Sequence, residues 1–353
     1  STPKPSSAAS DVYKRQIRIA RNQQSGTLGY AYFPAGGEGG DLYLSRDISG
    51  FEVGSLGFFT LLHELGHAIG LKHPGNYSSG DDGPFLDSNL DSVDYTIMSY
   101  NGFADGLYRI NYGIFDIHVL RYLYGQENVN TGDTWYTVEV SDVKYRQTII
   151  DDAGQDTIDF SLIKTAAFID INAGSFSSLT ANALSQNTPK HLSIALSTNI
   201  ENVVGTQYND SITGNSSDNL IMAGRGDDVI NGSLGQDTLF VNGFASQVSL
   251  NGQTLTSPDG RDTLTSIERI MLGKTWKTSI ALSADAISQA KAVLEKITNL
   301  YVAYFTRPAD VEGLEYWFSN IQSGSKTLRT IAEDFSWSQE YTVSYPKNLG
   351  NSE

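Results

Sequence analysis

The chain of 353 residues contains no cysteine, so disulfides and thiolate metal sites are both excluded. Any metal site has to be built from histidine and oxygen donors. Histidine is scarce, with five residues, and methionine scarcer, with three. Positive charge is also in short supply: 24 Lys and Arg stand against 40 Asp and Glu, a net charge of −16. That balance disfavours nucleic acid and anionic membranes as partners and favours cations. No apolar run approaches the ~20 residues a membrane span needs, and no secretory leader is visible. What the chain has in quantity is glycine, 34 residues, with only 18% charged residues, a charge density below that of a disordered acidic tail. Its length points to more than one domain.

Five segments of different texture follow one another. Residues 1–16 are polar and aperiodic and read as disordered or left over from expression. From 17 to 125 the pattern is α/β. "IRIA", "GYAYF" and "DLYLS" are strand candidates separated by glycine-rich turns, and "GFFTLLHELGHAIG" has helical length and spacing. In that helix Leu61, Leu62, Leu65, Ala68 and Ile69 are expected to form the buried stripe, and Gly70 to end it. "FDIHVLRYLYG" is a second helix. From 126 to 243 Asn, Asp, Gly, Ser and Thr surround isolated aliphatic residues. A strand-rich connector follows at 244–282, and a helical pattern at 283–353.

Three of the five histidines fall within "HELGHAIGLKH" at 63–73. Residues four apart share a helix face, so His63 and His67 can grip one ion. Gly70 can turn the chain so that His73 returns as a third ligand. Three neutral imidazoles leave the fourth tetrahedral position of a zinc ion to water, the arrangement of a catalytic site rather than a structural one. Glu64 is placed to take that water's proton. The competing reading is a chance amphipathic helix with solvated histidines. The ordered glycine and third histidine weigh against it. His118 and His191 have no such context; the first reads as packed or solvated, the second as part of the repeat region.

The repeat region has a strict period. "GTQYNDSIT", "GNSSDNLIM", "AGRGDDVIN" and "GSLGQDTLF" begin at 205, 214, 223 and 232. The eighth position is Ile212, Ile221, Ile230 or Leu239, and the sixth is Asp210, Asn219, Asp228 or Asp237. A fixed period of this kind signals a solenoid. Six residues make a turn and three a short strand, so each repeat is half a coil. The turns at 205 and 223 are expected to stack on one side, and those at 214 and 232 on the other. Stacked acidic turns make an oxygen cage suited to calcium. With one apolar residue per repeat, folding is expected to require the metal.

The motif H-E-x-x-H-x-x-G-x-x-H is the metzincin signature, and "YTIMSY" at 95–100 supplies its methionine turn. "HELGHAIGLKHPGNY" followed by "IMSY" resembles the serralysin branch of the metzincins. The resemblance implies a multidomain protein: an α/β metzincin-like (zincin) catalytic domain, a parallel β-roll (an RTX β-solenoid) and a small all-α C-terminal domain. It implies zinc ligation by His63, His67 and His73, with Glu64 as catalytic base. Tyr100 would ligate the resting zinc and stabilise the transition-state oxyanion, and Met98 would lie beneath the metal. "GYAYFP" would be the edge strand that pairs with extended substrate.

The nonapeptides resemble the RTX repeat. By that resemblance calcium is assigned to Thr206, Tyr208 and Asp210; to Asn215, Ser217 and Asn219; to Ala223, Arg225 and Asp228; and to Gly232, Leu234 and Asp237. "NTGDT", "DDAGQDTIDFS" and "NIENVVG" resemble the calcium segments that precede the roll. They add Asn130, Gly132, Thr134, Asp152, Gly154, Asp156, Asn199 and Glu201. The likeness covers roughly 17–243. The stretch from Ile17 to His63 has room for three strands and no long helix, so the domain is expected to be partial.

The C-terminal segment resembles a small helical domain of unknown function found behind RTX repeats. Its aromatics Tyr301, Tyr304, Phe305, Tyr316, Trp317 and Phe318 read as core, with a carbohydrate or cell-surface contact as the alternative. The expectation for the whole is a secreted bacterial zinc endopeptidase that cleaves protein or peptide substrates by Glu-assisted attack of zinc-bound water. It would hold one zinc and several calcium ions, act as a monomer, and leave the cell through a type I machine without a cleavable signal. The rival is a catalytically impaired, calcium-dependent adhesin.

Overall fold

The structure is a computed structural model that describes residues 17–35, 37–78, 81, 83–185, 187–243, 247–273, 280–305, 311–322 and 324–338. Residues 1–16, the helix break at Arg307-Pro308 and residues 339–353 lie outside the described residues. The chain divides into two compact units, Ser1–Asn215 and Ser216–Glu353.

The first unit opens with β1 (Ile19–Asn22), β2 (Gly29–Ala31) and β3 (Leu42–Ser45). β3 is central, parallel to β1 and antiparallel to β2. β1 begins two residues later than "IRIA" suggests, because its register is set by Ile19 lying opposite Leu42. Helix α1 (Leu56–Ala68) follows, capped by Ser55, whose hydroxyl accepts from Phe58 N at 3.2 Å. Gly70, at φ +103°, ends it.

The expected buried stripe of α1 needs correction. Of its five residues only Ala68 is buried; Leu61, Leu62, Leu65 and Ile69 are half-buried. The helix lies between two apolar clusters. Leu61 and Leu65 pack on Leu42, Leu44 and Ile48, while Leu62 packs with Phe59, Val93, Ile97 and Met98. With apolar contacts on two flanks, the most buried side chains include the polar ones between them: Thr60, His63, Glu64 and His67.

β4 (Tyr108–Arg109) and α2 (Ile114–Tyr124) come next, then β5 (Trp135–Thr137) and β6 (Tyr145–Ile149). Arg109 is fully buried and donates to the carbonyls of Val93 (3.1 Å) and Asp94 (2.9 Å). Arg146 pairs with Asp94 (2.9 Å) and Asp105 (2.7 Å). Together they tie the loop around Met98 to β6. The remaining strands of this unit are β7 (Thr157–Asp159), β8 (Phe168–Asp170), β9 (Phe176–Ser177), β10 (Leu192–Ile194), β11 (Asn202–Val204) and β12 (Ser211–Thr213). β7 pairs in parallel with β5 and β11, and β8 with β12. Each of these strands sends its middle residue inward, with Ile158, Ile169 and Val203 fully buried.

The second unit continues with β13 (Leu220–Met222), β14 (Val229–Asn231), β15 (Thr238–Asn242), β16 (Ser249–Asn251), β17 (Thr254–Thr256), β18 (Arg261–Thr265), β19 (Arg269–Gly273) and β20 (Ile280–Ser283). β13 pairs in parallel with β15, not with β14, and Ile221 lies opposite Leu239, two repeats on. Alternate strands thus stack, as a half-coil per repeat requires. β14 pairs with β18 and β15 with β19. Ile221, Ile230 and Leu239 are at most 1% exposed. Burial of such a side chain stabilises by ~1.5–3 kcal/mol, and one per nine residues makes a thin core.

Helices α3 (Ala284–Phe305), α4 (Val311–Gln322) and α5 (Leu328–Trp337) complete the unit. Phe335 contacts the rings of Tyr301, Phe305 and Trp317. Tyr301 and Phe318 are buried as expected, whereas Tyr316 is 58% exposed and is not part of the core. On α4 it lies about 100° round the helix from Trp317 and about 200° from Phe318, off the face that meets Phe335. Among the described residues no helix is long and apolar enough to cross a membrane.

Candidate metal centre

The sequence dictates this site locally. Ser55 starts α1, and His63 and His67 fall one turn apart on its buried face. After His67 the chain reverses: Gly70 N donates to His67 O (3.0 Å) and Leu71 N to Gly66 O (2.8 Å). That bend brings His73 back. His73 Nε2 lies 3.1 Å from His67 Nε2 and 3.4 Å from His63 Nε2, and the three potential ligand atoms all lie within 4.8 Å of one another.

The other ring nitrogens decide what the convergence means. His63 Nδ1 is 2.9 Å from Ile97 O, His67 Nδ1 is 2.8 Å from Leu71 O, and His73 Nδ1 is 3.0 Å from Asp81 Oδ1. Carbonyls and carboxylates only accept, so each Nδ1 carries a proton, which in a neutral ring leaves Nε2 with a bare lone pair. Burial, followed by the neighbouring His67, pushes the His63 pKa down to about 3, and burial pushes His67 down to about 4. Three unprotonated nitrogens aimed at one point repel one another unless a cation sits there. The donor set of three imidazoles suits zinc.

Glu64 is 6% exposed, and its Oε2 has no hydrogen-bond partner among the described residues. Burial raises its pKa to about 7. Gly29 of β2 makes room for it: a Cβ there would stand 2.7 Å from Glu64 Cγ. Two cavities of about 490 and 520 Å³ meet at Gly29, Glu64 and Tyr100. Together they form a cleft along β2, which among the described residues has a partner only on its β3 side.

Tyr100 is half-exposed. Its ring stacks on His63 (5.4 Å, 21°) and on Tyr77 (4.7 Å, 23°). Burial raises its pKa, with Glu64 and Asp81 adding to the effect. Met98 is 1% exposed and packs beneath α1. Two buried carboxylates hold this turn. Asp116 accepts from Thr96 Oγ1 (2.6 Å), Ile97 N (2.7 Å) and Gly113 N (2.7 Å). Asp91 accepts from Ser99 Oγ (2.7 Å), Asn101 Nδ2 (2.9 Å) and the Tyr77 hydroxyl. Sequence reading passed over Asp81, Asp91, Asp116 and Tyr77. The one local signal was Asp116, at the N3 position of α2 where a helix-capping acid belongs.

Of the two remaining histidines, His118 is exposed. His191 is buried, accepts from Leu179 N at Nδ1 (3.1 Å) and has its pKa pushed down to about 4 by burial.

The acidic loops assemble in each unit. In the first, Thr134 N donates to Asp156 Oδ1 (2.8 Å), Asp156 N to Glu201 Oε2 (2.8 Å) and Asn199 Nδ2 to Glu201 Oε1. Gly154, at φ +138°, faces the Gly132 carbonyl, which a Cβ would meet at 2.6 Å. Asn130, at φ +51°, donates to Ile150 O (3.2 Å). Asp152 instead pairs with Arg121 (2.6 Å) and accepts from Val129 N (2.7 Å). The carboxylate beside Asp156 is Asp151, 1% exposed; burial first, then Asp151 and Glu201, raise the Asp156 pKa to about 6.

Among the nonapeptide residues, Asp210 accepts from Thr206 N (2.6 Å) and Ala167 N (2.8 Å), and Tyr208 N donates to Thr206 Oγ1 (3.0 Å). Asn215 donates to Ile200 O (2.6 Å). In the second unit Asp237 Oδ1 accepts from Asn219 N (2.8 Å), and a Cβ on Gly235 would meet Ser217 O at 2.5 Å, so the turns at 214 and 232 stack as expected. Asp228 N donates to Asp262 Oδ1 (3.1 Å). Ala223 is buried, Arg225 exposed, and Leu234 is 71% exposed, so only its backbone can face an ion. Gly232 lies against Ser266 and Asp237.

Comparison with known proteins adds to this geometry. Residues 204–239 match the family of RTX calcium-binding nonapeptide repeats, and residues 278–345 match a domain of unknown function (DUF4214). A serralysin of Proteus mirabilis is 36% identical over 191 residues, 48% of this chain and 38% of the relative. Serralysin C of Dickeya chrysanthemi is 36% identical over 210 residues, covering 52% and 43%. The metallopeptidase AprA of Pseudomonas marginalis is 32% identical over 230 residues, covering 56% and 47%. The chain thus spans less than half the length of each of these relatives. A mixed, sheet-rich α/β chain with nonapeptide repeats and few helices fits that kinship.

Proposed function

This chain is a relative of the serralysin-type metalloproteases, and from that premise we propose that it is a secreted zinc-dependent endopeptidase acting on proteins or peptides. The observation that supports this best is the convergence of three bare Nε2 atoms on one point, with the unpartnered Glu64 carboxylate beside it. His63, His67 and His73 would hold zinc. When bound, zinc supplies Lewis acidity to the substrate carbonyl and makes water a stronger nucleophile near neutral pH.

The rest of the reading concerns this chain's own side chains. Extended substrate pairs with the free edge of β2 and lies in the cleft that passes Glu64 and Tyr100. Glu64 takes a proton from water at its free Oε2 and returns it to the leaving amine. Its raised pKa suits both halves of that task. The Tyr100 hydroxyl donates to the oxygen that gains charge in the transition state. In the resting enzyme Tyr100 would also hold zinc.

Domain limits follow the same reading: a partial protease domain at 17–125, a calcium-filled parallel β-roll at 126–243, a connector at 244–282 and a helical appendage at 283–353. Calcium would be held by the assigned loop residues, with Asp151 beside Asp156 where Asp152 turns to Arg121. Export by a type I machine and a monomeric state belong to the same proposal. The test is cleavage of casein that a zinc chelator abolishes. Glu64→Gln should remove cleavage while metal analysis still finds one zinc per chain. A fully active Glu64→Gln protein would sink the mechanism; calcium uptake without zinc would favour the adhesin.

A further inference from the structure

We propose that the second unit holds a cation site in which Asp237, the last acid of the nonapeptides, is joined by two groups beyond them, the Glu268 carboxylate and the Ser266 carbonyl. It rests on the reading of the repeats as calcium-binding and extends it past the point where the repeats stop.

The nonapeptide pattern ends at residue 240, and a roll that stopped there would leave the turn of Asp237 without a neighbour on one side. Residues 266–269 take that place. Glu268 N and Arg269 N both donate to Asp237 O (3.2 and 3.0 Å), and β19 runs parallel to β15 with Thr238 opposite Arg269. Asp237 N in turn donates to Glu268 Oε2 at 2.8 Å. A similar arrangement occurs in the first unit. There Asp156 N donates to Glu201 Oε2 at 2.8 Å, and β11 runs parallel to β7 with Thr157 opposite Asn202. The two segments share an Ile-Glu pair in the same place, in "NIEN" at 199–202 and "SIER" at 266–269.

A cluster of acids alone would not make a site. The pointer to a ligand is Asp237 itself. It is fully buried, and its Oδ2 has no hydrogen-bond partner among the described residues. Its other oxygen is engaged by Asn219 N. Oδ2 and the Ser266 carbonyl oxygen both lie within 2.3 Å of the point where a Cβ of Gly232 would stand, so a side chain there is excluded and two oxygens converge. Burial first, then the charges of Glu268 and Asp218, push the Asp237 pKa up to about 6. Leaving that carboxylate ionised, buried and unpaired is costly. A cation relieves it. Oxygen-only donors of this kind select a hard ion such as Ca²⁺, with water and further carbonyls filling its six to eight positions.

The experiment is equilibrium dialysis of the full chain against calcium, counting bound ions. Glu268→Gln keeps an oxygen that can accept from Asp237 N but removes the charge, so it should bind one calcium fewer than wild type. Glu268→Lys places an ammonium near Asp237. It should also lose one calcium, yet unfold in chelator at a temperature no lower than wild type. Glu201→Gln should lose a different calcium, and the double variant two. If Glu268→Gln binds as many ions as wild type with unchanged affinity, Glu268 is only a hydrogen-bond acceptor and the site does not exist. If the wild type binds none, the calcium reading of the repeats falls with it. Should Glu268→Gln fail to fold, a folded Glu268→Lys chain that retains the wild-type calcium count overturns the site equally.

Discussion

Gly66 of α1 and Met98 of the following turn are packed so closely that a Cβ on Gly66 would stand 2.6 Å from Met98 Sδ. The helix that carries two of the histidines therefore has its height above the turn set by one side chain. Gly66→Ala should overpack this contact at a cost of ~1–3 kcal/mol. Because His63 Nδ1 donates to Ile97 O, displacing the turn should also disturb that ligand. A lower unfolding temperature together with faster zinc loss to a chelator is expected. Met98→Leu, which nearly conserves volume, should cost less than ~1.5 kcal/mol. A Gly66→Ala protein as stable as wild type would show that the turn can yield.

His73 differs from its two companions, since a side chain rather than a backbone carbonyl orients it. Asp81 accepts from His73 Nδ1 and from the amides of Tyr77 (2.9 Å) and Ser78 (2.7 Å), and the His73 hydrogen bond holds the Asp81 pKa down at about 2. Losing such a partner typically weakens zinc binding ~10–100-fold. Asp81→Asn should show that loss in competition with a chelator, and kcat should recover at saturating zinc. A loss of kcat that zinc does not restore would mean Asp81 acts on substrate instead.

The metal centre was legible because its signal is local: spacings of four and six residues around one glycine, and a methionine turn close behind. What surrounds it was not. Asp116 reaches Thr96 and Ile97, and Asp91 reaches Ser99 and Tyr77, only once the chain has folded back. Burial along α1 was misjudged for the same reason, since a helix packed on two flanks has no single apolar stripe. The nonapeptides were legible as far as their period held. Beyond it the hairpin of β16 and β17 breaks the phase, and β18 with Asp262 resumes the coil unannounced. In "DDAGQD" two adjacent acids compete, and which one faces Asp156 is settled by Arg121, which is distant in sequence.

Tyr100 stacks on His63 with its ring half-exposed, free of a fixed hydroxyl partner among the contacts described. A donor that acts only on the transition state changes kcat more than KM. Tyr100→Phe should lower kcat by about 10²-fold, the loss typical of one oxyanion donor, with KM little changed, in a casein-derived peptide assay. Equal losses in kcat and gains in KM would place the tyrosine in ground-state binding.

The buried carboxylates give calcium and pH opposite effects on stability. Asp156, Asp237 and Asp262 have folded pKa values pushed up to about 6, each chiefly by burial, from an ordinary value near 3.8. Between those limits the metal-free folded chain binds more protons than the unfolded chain, so these groups make stability fall as pH rises through the window. His191, at about 4 when folded against 6.5, works the other way, because there the unfolded chain holds the extra proton. His63 and His67, at about 3 and 4, act with His191, and Glu64, at about 7, acts with the aspartates. Four carboxylates and three histidines nearly offset one another, so in chelator the unfolding temperature should change little between pH 5 and pH 7. Calcium must displace those protons to bind, which makes its affinity rise with pH through about 6 and makes uptake release protons. The gain in unfolding temperature on adding calcium should therefore be larger at pH 7 than at pH 5, and an unbuffered solution should acidify as calcium is added at pH 6. Equal gains at both pH values, with no proton release, would show that these carboxylates do not hold the ion.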